Sequence, residues 1–164
     1  MKTNYQLPTT RHSIKRGMTI LEIVIVLGIL AILALVLARP FLAFRDEQVL
    51  ASAAEQVFAM VNEARADTLA AKNDMQYGVH FESARSVYFL GSVFSEVGVG
   101  NEIFSFPARI SGTANLNGGG SDVVFARLTG KAAGYGSIVL ILNNNGSTTR
   151  TIVISEAGAA TIVR

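Results

Sequence analysis

Arg16-Gly17-Met18-Thr19-Ile20-Leu21-Glu22, followed by the apolar run Ile23 to Ala38, is the stretch on which the rest of the chain depends. From Met18 to Ala38 there are 21 residues and one ionisable side chain, Glu22. As a helix rising 1.5 Å per residue the run is about 31 Å long, enough to cross the hydrocarbon core of a bilayer. Lys15 and Arg16 precede it, and Arg39-Pro40 follow. The positive-inside bias then places residues 1–17 in the cytoplasm and the remainder outside, with a single pass through the membrane. Glu22 is the anomaly. A carboxylate at that depth costs about 2.5–3.5 kcal/mol on insertion scales, so it either reaches the headgroups from a shallow position or has a partner. A cut between Gly17 and Met18 would create an α-amine four residues before Glu22, and in packed helices that amine of one subunit could pair with Glu22 of the next.

These residues resemble the class III signal of type IV pilins and type II secretion pseudopilins. The resemblance implies cleavage by prepilin peptidase between Gly17 and Met18, N-methylation of Met18, and a role for Glu22 in assembly. Met18 departs from the phenylalanine usual after the cut. The partners implied are prepilin peptidase, other pilin or pseudopilin subunits, and an inner-membrane assembly platform. An ordinary secretory signal peptide is the rival reading. Val36-Leu37-Ala38 offers a small-residue site for it, but Pro40 is a poor neighbour and Gly17 and Glu22 would be left unexplained.

At 164 residues the chain has room for one modest domain beyond this helix. The formal charge of +2 is misleading, because Lys2, Arg11, Lys15 and Arg16 all lie in the expected leader. Taking those four from the 14 basic residues leaves ten against 12 acidic ones, a net of −2. Bulk charge therefore does not indicate a nucleic-acid-binding protein. With no cysteines, disulfides, thiol catalysis and Cys-based zinc sites are excluded. Many major pilins carry a C-terminal disulfide loop, so this absence leans towards a pseudopilin or minor pilin.

Beyond Pro40 the periodicity stays helical, with Leu50, Ala53, Val57, Val61 and Ala64 at spacings of three and four. Proline removes one hydrogen bond and is expected to kink the helix without ending it. One helix is thus expected over 18–72, stopping at Asn73-Asp74. Arg45 with Asp46 and Glu47, and Glu63 with Asp67, read as solvated helix faces. From Met75 the pattern turns to short β-type runs: 76–82, 87–91, 102–110, 122–127, 137–142, 150–155 and 160–163. Hairpin connections are expected at 82–86 and at 143–147, where Asn145-Gly146 tolerates positive φ. Residues 96–101 and 112–121 read as mobile loops. The expected class is α+β: a long N-terminal helix, half in the membrane and half amphipathic, packed on an antiparallel sheet. Its parts are a leader (1–17), a membrane helix (18–38), the amphipathic half (39–74) and a β-rich head (75–164).

The head also resembles one branch of that superfamily. Ala64-Arg65-Ala66-Asp67 leading into the first strand, Val123-Val124-Phe125, and Arg150-Thr151-Ile152-Val153-Ile154-Ser155-Glu156-Ala157-Gly158 look, in that order, like the GspH/FimT minor pseudopilins. The resemblance implies a sheet-rich head near the tip of a pseudopilus or pilus. Members on the FimT side are implied to bind DNA through C-terminal arginines, which makes Arg150, Arg164, Arg127 and Lys131 the candidates here. A nucleic-acid partner is the weaker alternative, because three or four cations give only modest, salt-sensitive affinity.

Catalytic machinery is not visible. His80 is the only histidine after residue 17, with no second histidine and no carboxylates at ligand spacing for a metal. Ser137 lacks the Gly-x-Ser-x-Gly frame of a nucleophile elbow. The glycine runs at 118–120 and 128–136 lack the Lys-Ser/Thr ending of a phosphate loop. No cofactor and no enzyme activity are expected.

Overall fold

The computed structural model describes residues 17–143 and 148–163, with side chains other than those of 38–40. The leader 1–16, the turn 144–147 and Arg164 lie outside the described residues. Helix α1 spans Ile20–Leu69 and runs through Pro40. The chain divides at Phe41/Leu42 into two compact units, and the second carries the whole core.

In that second unit α1 buries Leu50, Ala53, Ala54, Val57, Val61 and Ala64 to 1% exposure or less. That is the stripe the spacing predicts, with Ala54 added. The helix stops three residues before the expected end. Ala71, Asn73 and Asp74 all adopt positive φ around a 3-10 turn at Lys72–Asp74, a conformation that Asn and Asp tolerate better than most residues. Buried Thr68 locks this corner: its hydroxyl donates to the Ala64 carbonyl (2.8 Å) and accepts from the Tyr77 amide (3.0 Å).

Nine strands follow: β1 (Tyr77–Phe81), β2 (Arg85–Leu90), β3 (Glu102–Ser105), β4 (Ile110–Leu116), β5 (Asp122–Phe125), β6 (Ala132–Ala133), β7 (Gly136–Leu142), β8 (Thr149–Ile154) and β9 (Ala160–Val163). They form two antiparallel sheets, sheet A ordered β3-β2-β1-β5-β6 and sheet B ordered β4-β7-β8-β9. Both contribute to one core with α1, so the fold is the expected pilin-like α+β arrangement with its sheet split in two. The split falls inside the expected strand 102–110. Pro107 cannot donate to a ladder, and the chain turns there, with the Ile110 amide bonded to the Pro107 carbonyl (2.8 Å), before passing from sheet A to sheet B.

The expected loop 112–121 is half strand. β4 pairs with β7 over seven residues, Ile110↔Leu142 to Leu116↔Gly136. Gly112 fits there because a Cβ would come within 2.7 Å of the Phe106 ring. Its weak strand propensity hides a position where close packing excludes a side chain.

Candidate functional site

The first candidate is the start of α1. Gly17 and Met18 are exposed and precede the helix, and nothing lies within 4 Å of where a Gly17 Cβ would be. Thr19 caps the helix, its carbonyl accepting from the Ile23 amide (3.3 Å) and its hydroxyl from the Glu22 amide (3.3 Å). Thr19-Ile20-Leu21-Glu22 thus has the sequence of a capping box, with Glu22 at the third helical position. This is a local signal that periodicity alone passes over. A carboxylate in the first turn also meets the positive end of the helix dipole, so the Glu22 position has a favourable field within its own chain. From Met18 to Leu37 every residue is exposed, around the full circumference of the helix. The helix is long and apolar enough to cross a membrane, its most apolar 18-residue window having mean hydropathy 3.2 with none of that window buried.

The four cationic candidates of the head do not converge. Arg150 lies on the inner face of β8, only 12% exposed at its side chain, and donates to Glu47 of α1 (3.0 Å) and to the Thr149 carbonyl (3.3 Å). Arg127 is held by Asp74, through both its carboxylate and its carbonyl. Lys131 stands 3.8 Å from Glu156, and Arg164 lies outside the described residues. Glu47 and the helix end at Leu69 are 22 residues apart, about 33 Å along α1, so Arg150 and Arg127 are bound near opposite ends of the head's helix. The helix charges expected to be solvated are partly engaged as well. Asp46 binds Arg109 (2.8 Å), Glu47 binds Arg150, and Asp67 takes bonds from Lys72 (2.5 Å) and the Tyr88 hydroxyl (2.7 Å). Apart from Lys72, five residues on, their partners come from distant strands and loops, which helical periodicity does not see. The Lys72 ammonium holds the Asp67 carboxyl below the usual carboxylate range, and burial pushes the Tyr88 hydroxyl up.

His80 is more connected than its sequence position suggests. On the outer face of sheet A its Nδ1 meets Asp122 Oδ1 (2.5 Å), and its Nε2 lies 3.5 Å from Glu82 Oε1. Arg85 binds both Glu82 oxygens (2.9 Å each), holding that carboxyl low, and also reaches Glu96 (2.6 Å). Phe94 stacks on the imidazole with centroids 3.9 Å apart and meets Phe89 edge-on. The loop 91–101 is therefore fastened across this face by Phe94 and Glu96. Asp122 is 42 residues from His80 in sequence, which is why the cluster is invisible before strand pairing. No hydroxyl or thiol nucleophile bonds to His80 among the described residues, and no metal-binding group of three or more His, Cys, Asp or Glu occurs among them. The chemistry of the cluster is that of a fastening. A shallow groove of about 310 Å³ lies between α1 (Val49, Ala53, Gln56) and the end of β3 with the connection after it (Phe104, Pro107), without a cluster of titratable groups.

No known protein family and no curated protein matches the sequence. Among solved structures, the chain is similar to the type IV minor pilin FimU of Pseudomonas aeruginosa in two crystal forms. In one the TM-score is 0.56 at 17% identity, covering 74% of this chain and 92% of that one. In the other it is 0.51 at 15%, covering 70% and 93%. At such identities the likeness establishes the pilin-like fold.

Proposed function

We propose that the chain is a structural subunit, a minor pilin or pseudopilin of a type IV pilus or type II secretion pseudopilus, and not an enzyme. The observation that carries this reading is the uncharged helical surface from Met18 to Leu37, bare on all sides apart from Glu22, ahead of a head with a pilin-like fold. A helix apolar all round requires lipid or other helices against it. In this reading residues 1–17 are the cytoplasmic leader, and prepilin peptidase cuts between Gly17 and Met18. Met18 is N-methylated, and residues 18–38 hold the subunit in the inner membrane until the assembly platform draws it among other pilins. An unpaired buried carboxylate is costly. Glu22 therefore favours the stagger that brings it to a neighbour's Met18 amine.

The test is the intact mass and N-terminal sequence of the chain recovered from membranes. N-methylated Met18 as first residue is the expected result, and Gly17→Ala should leave the leader attached. A chain beginning at Met1 or near Arg39 would overturn the assignment. Glu22→Ala should be cut and stay in the membrane but enter filaments at least about tenfold less, as expected for a lost buried ion pair. The DNA-binding alternative rests on Arg150, Arg127, Lys131 and Arg164. The carboxylates already engaging the first three weigh against it, and salt-independent absence of DNA retention by the full chain would close it.

A further inference from the structure

Sheet A ends at β3, and the shallow groove beside Phe104, Ser105 and Pro107 lies along that edge. Strand pairing fixes which backbone groups of β3 are open. Phe104 stands opposite Ser86 and Glu102 opposite Tyr88, and just past the strand the Phe106 amide donates to the Ala84 carbonyl (2.8 Å). Bonded and non-bonded pairs alternate along an antiparallel ladder. Residues 102, 104 and 106 therefore bond to β2. The amides and carbonyls of Ile103 and Ser105 point away from it, with no partner among the described residues. The opposite wall of the groove is a stripe of α1 that includes Arg45, Val49, Ser52, Ala53 and Gln56. From Arg45 to Gln56 it is about 16 Å long, the span of about five residues of extended chain. Arg45 stands at the Pro107 end, where a second groove of about 410 Å³ adjoins. It is exposed, and it is the one lysine or arginine among the described side chains without a hydrogen bond or ion pair. Every other meets a carboxylate or, for Arg65, two carbonyls.

We infer that an extended segment of another protein adds to sheet A beside β3, lies in the groove on α1 and places a carboxylate at Arg45. Each part of the site selects one property of the segment. Open donors and acceptors on alternate residues match another strand, set about 4.8 Å away. Beneath that strand Val49, Ala53 and Phe104 form an apolar floor, so its inward residues, every second one, are apolar. An unpaired guanidinium at one end of the groove calls for an acid at that end. Other occupants match less of this. The leader 1–16 has four basic residues and no acidic one, so Arg45 repels it. The edge strand β9 of a second copy, Ala160–Val163, carries no acid. An anionic lipid would satisfy Arg45 and leave Ile103 and Ser105 open. A few backbone bonds and one exposed ion pair make a weak site, so a multivalent probe is needed to read it.

This goes beyond the subunit reading and can fail separately from it, since the N-terminus found on the chain has no bearing on β3. The probe is a random heptapeptide library displayed in many copies on phage and selected on the full chain in detergent micelles. Enriched peptides should alternate apolar residues and carry Asp or Glu at one end, at least about fivefold above the unselected library. Selection on Arg45→Glu should place Lys or Arg there instead. Ser52→Phe, at an exposed helix position, fills the groove and should abolish enrichment. A synthetic copy of the most enriched peptide should bind at least about tenfold more weakly when N-methylated on one alternate set of amides, and change by less than about twofold on the other. No enrichment, enriched peptides without an acid, or equal loss from both methylated sets would overturn the proposal. So would displacement of the peptide by phosphatidylglycerol, which would give Arg45 to lipid. Self-association of the full chain in sedimentation, abolished by Arg45→Glu, would give the edge to a second copy and overturn it as well.

Discussion

Ser86 is buried at 0% exposure on the core side of β2, opposite Phe81 and Phe104, and its hydroxyl has no hydrogen-bond partner among the described residues. An orphaned buried hydroxyl carries its desolvation cost with no return, about 1–3 kcal/mol. Ser86→Ala should therefore stabilise the head by about 1 kcal/mol, read as a higher urea midpoint at unchanged slope; a lower midpoint would mean the hydroxyl has a partner after all. Asp67 behaves oppositely. Lys72 and Tyr88 hold its carboxyl below the usual range, as Arg85 holds Glu82. A depressed carboxylate adds stability above its unfolded pKa of about 4, lost as pH falls through the lower folded value. The Tyr88 hydroxyl is raised by burial, so its contribution is complete below about 10 and is lost above that. Unfolding midpoints should form a plateau between about pH 5 and pH 9 and fall on both sides. Asp67→Asn should flatten the acid limb, and an unchanged limb would locate the acid sensitivity elsewhere.

At the scale of elements, one junction ties helix, loop and turn together. Arg65 of α1 donates to the Gly130 carbonyl of the β5–β6 loop (3.3 Å) and the Ala157 carbonyl of the β8–β9 turn (3.4 Å). Gly158 makes this possible. Its φ is +81°, and a Cβ there would lie 2.0 Å from the Gly130 carbonyl oxygen and 2.8 Å from Arg65 Nε. Gly158→Ala should cost about 2–5 kcal/mol, from left-handed strain together with overpacking, seen as a lower unfolding midpoint. A loss under about 0.5 kcal/mol, typical of a surface change, would show that the turn shifts freely. Such junctions mark where the sequence is legible and where it is not. The helix stripe and most strand positions follow from period and turn residues, since those signals are local. The passage between sheets is marked locally by Pro107, whereas the strand character of 112–116 and the His80–Asp122 contact depend on pairing between distant segments. The candidate site divides the same way. Gly17, Met18 and Glu22 stand in one heptapeptide, whereas the engagement of Arg150 and Arg127 by acidic partners appears only when Glu47 and Asp74 are brought to them.

For the molecule as a whole, the two units have opposite solvent requirements. Among the described side chains, every core residue lies between Leu50 and Ile154. Residues 18–37 instead present an apolar surface with no burial, and Phe41, Leu42 and Phe44 continue it at 52–68% exposure. Removing residues 1–44 therefore leaves every described core residue in place. It does remove the apolar surface that would drive aggregation in water. It keeps Asp46 and Glu47, which bind Arg109 and Arg150. A fragment of residues 45–164 should be soluble without detergent and unfold in one cooperative step, as domains of that size do. Its urea midpoint should match that of the head within the full chain, while the full chain should partition into detergent or lipid. A fragment that aggregates or melts without cooperativity would mean that residues 17–44 are part of the folding unit, and the division at Phe41/Leu42 would not be a boundary of stability.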